Sequence, residues 1–200
     1  MNFVIDKSEL ILLKSKGFNI LPNQPVKKMT LKEINNNLFS FLESNERTGF
    51  FFIKYPDELI RIEFNKEIFY CFGKCKLGYF NINSHKKIYI LITKENDIFN
   101  KHSLVFVNSS LGNFIKIYSL YIACIFLLRY ECNYESKDST MKLGNNTDKI
   151  ILDIVHKMLS VENEINDENN FWHNIISSIE NLDIKLNLSL VDYLLDGRYD

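Results

Sequence analysis

The chain has 200 residues, 46% of them hydrophobic and 24% charged, enough for one globular domain with a sizeable core. Its 24 Lys and Arg nearly match its 25 Asp and Glu, so bulk charge makes no case for a nucleic-acid partner. The distribution is uneven: residues 1–100 carry a net +4, residues 101–200 a net −5, and 11 acidic side chains fall from Asp148 onward.

Asp6 and Glu9 interrupt the apolar start of the chain, which therefore does not read as a secretory leader. The longest apolar run, Ile117 to Leu128, is bounded by Lys116 and Arg129 and is too short to cross a bilayer. A cytoplasmic protein is expected.

Residues 6–16 suit a short helix closed by Gly17. GFNILPNQPV follows, and Pro22 and Pro25 confine it to an extended or turning path. Leu31, Ile34, Leu38, Phe39 and Leu42 fall at helical spacing. From Gly49 the texture changes to six short aromatic and β-branched runs, GFFFIK, LIRIEF, EIFYCF, LGYFNIN, KIYILI and SLVFVN. The breaks between them suit an antiparallel meander with one face covered and the other partly wet.

Leu111, Phe114, Ile115, Tyr118, Tyr121, Ile122, Ile125 and Phe126 then line one stripe of a central helix. A polar loop, NYESKDSTMKLGNN, leads to a second helical period through Ile150, Ile151, Ile154, Val155, Met158 and Leu159. ENEINDEN is an acidic connector. Phe171, Trp172, Ile175, Ile176 and Ile179 mark a further helix, and Ser189 to Asp192 forms a capping box for a last short one.

The strand-to-helix junction FVNSSLGNF has three readings. A nucleophile elbow needs glycine where Val107 and Leu111 stand, and a phosphate-binding loop needs a Gly-Lys-Ser/Thr triplet that the chain lacks. Capping fits best: Ser109 as N-cap, with Asn108 and Ser110 beside it, satisfies N–H groups that the first helical turn leaves open.

Cys71, Cys75, Cys124 and Cys132 read as free thiols, and their spacing with His85, His102, His156 and His173 forms no metal-ligand pattern. No metal or other cofactor is expected. A catalytic thiol stays open as an alternative, through Cys71 or through Cys75, which sits between Lys74 and Lys76.

These motifs in this order resemble the SUKH superfamily. The resemblance rests on Gly17 to Pro22, on the segment Phe72-Gly73 to Ile90 with its Ile88-Tyr89 pair, and on Phe171-Trp172. Most specifically, Phe106, Asn108, Ser109, Ser110, Leu111 and Phe114 match the Phe-x-Asn-Ser-Ser-Leu-x-x-Phe turn of a group of bacterial immunity proteins. The family usually carries an acidic residue where Gly112 stands, which would complete a capping box from Ser109; here that box is broken.

The resemblance implies an α+β fold, a mainly antiparallel curved sheet of about six strands with helices packed on it, as a single domain over residues 1–200. Within it, residues 1–48 form a helical and extended segment, 49–107 the sheet, 109–130 the central helix and 148–200 the C-terminal helices. It further implies a non-enzymatic immunity protein that neutralises a cognate protein toxin, often a nuclease or deaminase, without contacting nucleic acid or membrane. A regulatory interaction scaffold is the alternative within the same family. By charge sign, the toxin-facing surface is expected at Glu162, Glu164, Asp167 and Glu168. Tyr55, Tyr130, Tyr134 and Tyr199 are candidate aromatic anchors.

Overall fold

The structure is a computed structural model and describes residues 5, 7–25, 58–75, 77–93, 99, 103–131, 133–134, 141–142 and 147–180. The expected helix at 31–42, the strand GFFFIK and the capping box at Ser189 lie outside the described residues, as do Tyr55 and Tyr199.

Helix α1 (Lys7–Ser15) ends at Gly17, whose φ of 87° is open to glycine at little cost. The amide of Phe18 donates to the Leu13 carbonyl at 3.0 Å and that of Gly17 to Lys14 at 3.1 Å, a Schellman closure. Leu13 and Phe18, the two residues this closure brings together, are both buried.

Six strands follow: β1 (Asn19–Pro25), β2 (Glu58–Phe64), β3 (Glu67–Cys75), β4 (Gly78–Asn83), β5 (Ile88–Ile92) and β6 (Leu104–Asn108). Each pairs antiparallel with the next, so the sheet is a meander in sequence order. The first described strand is the proline-bearing segment, which was expected only to be extended or turning. Pro22 and Pro25 fit there because β1 has one described neighbour, β2, and the pairing is irregular between Leu21 and Gln24.

Asn65 and Lys66 join β2 to β3 with φ of 51° and 66°, and Lys86 in the β4–β5 turn has φ of 66°. Two positive φ values match the right-handed twist of a tight hairpin; a side chain other than Gly or Asn there costs on the order of 1 kcal/mol.

Four helical segments complete the described chain: α2 (Leu111–Glu131), α3 (Thr147–Val161), a 3₁₀ turn (Asn163–Asn166) and α4 (Phe171–Glu180). The acidic connector is thus partly helical. Within the polar loop, Asn133–Tyr134 pairs with Met141–Lys142 as strands β7 and β8. No helix among the described residues is long and apolar enough to cross a membrane.

Alternation sorts the strand residues onto two faces. Tyr70, Phe72, Phe80, Ile82, Ile88, Ile90 and Val107 pack with Leu111, Phe114, Ile117 and Tyr121 of α2, with Ile154 and Met158 of α3, and with Phe171 and Trp172 of α4. Phe114 is central: its ring lies 5.3 Å from Phe80, 5.8 Å from Phe72 and 6.4 Å from Trp172. On the other face, Ile60, Ile62, Phe69, Cys71, Tyr79 and Leu91 pack with Leu13 and Phe18. The expectation of a partly wet second face fails in the middle of the sheet, because every residue of β4 is buried.

Polar contacts also fix α1. Its Glu9 carboxylate accepts from the Tyr79 hydroxyl at 2.7 Å and from the Thr93 hydroxyl at 3.2 Å.

Gly78 is required by space rather than by φ. A Cβ there would lie 1.9 Å from the carbonyl oxygen of Leu91 on the paired strand. Gly78→Ala is expected to lower the unfolding free energy in a urea titration by about 3 kcal/mol or more, since two backbones must separate. A loss under about 1 kcal/mol contradicts this packing.

Candidate functional site

The FVNSSL turn sits where β6 passes into α2. Asn108 is its buried centre, and both ends of its amide are used. Its Oδ1 accepts from the indole Nε1 of Trp172 at 2.9 Å, and its Nδ2 donates to Oε2 of Glu162 at 2.5 Å. The other Glu162 oxygen accepts the backbone N–H of Ser109 at 2.6 Å.

The cap itself falls one residue later than expected. Ser110 is the N-cap of α2: its Oγ accepts the Asn113 amide at 3.1 Å and its carbonyl accepts that of Phe114 at 3.0 Å. Ser109 has a different task, its Oγ accepting from Nδ2 of Asn113 at 3.1 Å. Glu162 brings a carboxylate from far along the chain to the start of α2, where the helix dipole favours negative charge.

Asn170 closes the knot. Its Oδ1 caps α4 by accepting the Trp172 amide at 2.8 Å, and its Nδ2 donates to the Val107 carbonyl at 3.2 Å. Asn108, Glu162, Asn170 and Trp172 are all buried. The knot ties the end of β6, the start of α2, the end of α3 and the start of α4.

Glu162 is therefore not part of an exposed acidic surface. It is 4% exposed, with both carboxylate oxygens committed to the knot. Glu164, Asp167 and Glu168 are exposed, on a short path held by the buried residues Ile165 and Asn170. Asp167 is also fixed locally, its Oδ1 accepting from the Asn169 amide at 2.8 Å.

A second surface lies at the tips of the β2–β3 and β4–β5 hairpins. An open depression of about 860 Å³ there is flanked by the exposed residues Lys66, Ser84, His85 and Lys87. Buried Tyr70 and part-buried Ile68 and Tyr89 supply apolar lining. Asn83 stiffens it, accepting the Lys87 amide at 2.8 Å and donating to the Glu67 carboxylate at 2.6 Å. Burial, followed by the nearby Glu67 charge, raises the Tyr89 hydroxyl above the ordinary phenol range. This site was missed from sequence, since turn lysines look alike until the register brings two hairpin tips together.

The thiol alternative weakens at Cys71. Burial pushes its pKa up to about 12 and that of Cys124 up to about 11, which keeps both protonated at neutral pH. No three His, Cys, Asp or Glu side chains gather to hold a metal among the described residues. Comparison with protein-family models, curated proteins and solved structures returns no match to this chain.

Two outcomes follow for stability. Asn108→Ala removes a donor and an acceptor at once and is expected to cost about 2–4 kcal/mol in chemical denaturation. Asn108→Asp keeps the acceptor for Trp172 but sets a carboxylate against Glu162, and is expected to cost at least as much. If Asn108→Asp is milder than Asn108→Ala, the donor role of the amide is wrong.

The thiols add a pH dependence. The fold holds these protons more tightly than the unfolded chain does, so the contribution is complete below pH 9 and is lost as pH rises towards about 12. The denaturation midpoint of the wild type is expected to fall further between about pH 8 and about pH 10.5 than that of a Cys71→Ala/Cys124→Ala double variant. Equal falls contradict the assignment.

Proposed function

We propose that the chain is a non-enzymatic cytoplasmic protein that binds and neutralises a cognate protein toxin, with a SUKH-type fold. One observation carries the reading. The turn most specific to the resemblance is wholly engaged in architecture, while the acidic residues that follow its partner Glu162 stand exposed on a fixed path. Such an arrangement has what a protein inhibitor requires: charge presented rigidly, so that little entropy is lost on association.

Glu164, Asp167 and Glu168 form the toxin-facing surface in this reading. A nuclease or deaminase toxin must itself carry a basic surface to hold its substrate, and that surface is the natural counterpart of an acidic ridge. The α+β meander, with α2, α3 and α4 on one face and α1 on the other, supplies the rigid support.

Co-expression of the chain with the toxin domain encoded beside it tests the proposal through cell survival and co-purification. Rescue with a stable complex is expected. A Glu164→Lys/Asp167→Lys/Glu168→Lys variant is expected to lose at least about tenfold in affinity, mostly through association rate and at low salt, with a stability loss of no more than about 1.5 kcal/mol, from the Asp167 turn. Unchanged affinity and salt dependence would remove the acidic ridge from the interface. Full lethality beside soluble wild-type protein contradicts the immunity function itself.

A further inference from the structure

We infer that the depression at the two hairpin tips is a docking site for an acidic segment of a partner protein, one carrying carboxylates around an aromatic or aliphatic side chain. The inference is independent of the toxin-binding reading, which rests on a different surface of opposite sign.

Four observations point to that chemistry. Positive charge converges there: Lys66 and Lys87 line the depression from adjacent turns, and the carboxylate beside them, Glu67, is engaged by the Asn83 amide. Apolar lining is at hand on both sides of the tips, Ile68 and buried Tyr70 from the helix-bearing α2–α4 face and Tyr89 from the other. The walls are preset, because Asn83 bonds into both hairpins. Lastly, Lys66 and Lys86 hold left-handed backbone, which glycine or asparagine adopts more cheaply. At Lys66, which lines the depression, a lysine holds a conformation that the turn alone would give to asparagine or glycine more cheaply.

The ligand class follows by size and charge. Nucleic acid asks for a long basic track, whereas these cations are few and share the depression with a carboxylate. A free anion asks for enclosed donors, whereas Lys66, His85 and Lys87 are exposed beside apolar surface. A peptide with acidic and apolar side chains in alternation satisfies both halves of the depression.

The test titrates the isotope-labelled full chain with an eight-residue peptide of six glutamates around a central Phe-Phe pair, followed by amide chemical shifts. Saturable shifts confined to residues 66–70 and 83–89 are expected, with affinity falling several-fold between about 50 and about 300 mM salt. Lys66→Glu/Lys87→Glu is expected to weaken binding at least about tenfold. Lys66→Gly separates function from folding: it should weaken the peptide complex while raising the melting temperature. Absent shifts, shifts elsewhere, or undiminished binding by Lys66→Gly overturn the inference. So does a stronger response of the same amides to inorganic phosphate or to a single-stranded oligonucleotide, which assigns the site to a free anion or to nucleic acid.

Discussion

The fold depends on one buried amide. Asn108 donates a hydrogen bond to Glu162 and accepts one from Trp172, and its amide does both without having to take up a proton. In a low-dielectric interior each partner left alone would be costly, so the three groups specify one another's positions more sharply than apolar contacts do. Phe114, Phe171 and Trp172 surround this point with ring contacts between 5.1 and 6.4 Å, which excludes water from it. The helices are thus held in register by polar pairing and stabilised by the aromatic burial around it.

That internal commitment shapes what remains for the surface. Glu162 belongs by sequence to the acidic tract but physically to the core, and its burial orients the residues just after it. Glu164, Asp167 and Glu168 are carried outward on a turn pinned by Ile165 and Asn170. The hairpin tips, by contrast, present lysines stiffened by Asn83. A chain of almost zero net charge therefore offers two preset patches of opposite sign.

Much of the architecture was legible because its causes are local. Strand alternation, helical periods at Leu111 to Phe126 and Ile151 to Met158, and glycine at the end of α1 each follow from short-range sterics and burial. The junction was half legible: that Asn-Ser-Ser caps a helix follows from residue type. Which serine does so was not: Ser110 caps, while Ser109 gives its amide to Glu162, a contact 53 residues away. The same distance hid Glu162 among the surface acids. Pairing of the proline segment as β1 and the meeting of two hairpin tips likewise depend on register, which single segments do not encode.

The most direct test of this account is a double-mutant cycle on the knot, with Asn108→Ala, Glu162→Ala and their combination measured by chemical denaturation. The account predicts strong coupling, the double variant losing at least about 1 kcal/mol less than the two single losses together, because each single variant strands a buried partner. Additive losses would contradict it and leave the junction as two independent caps.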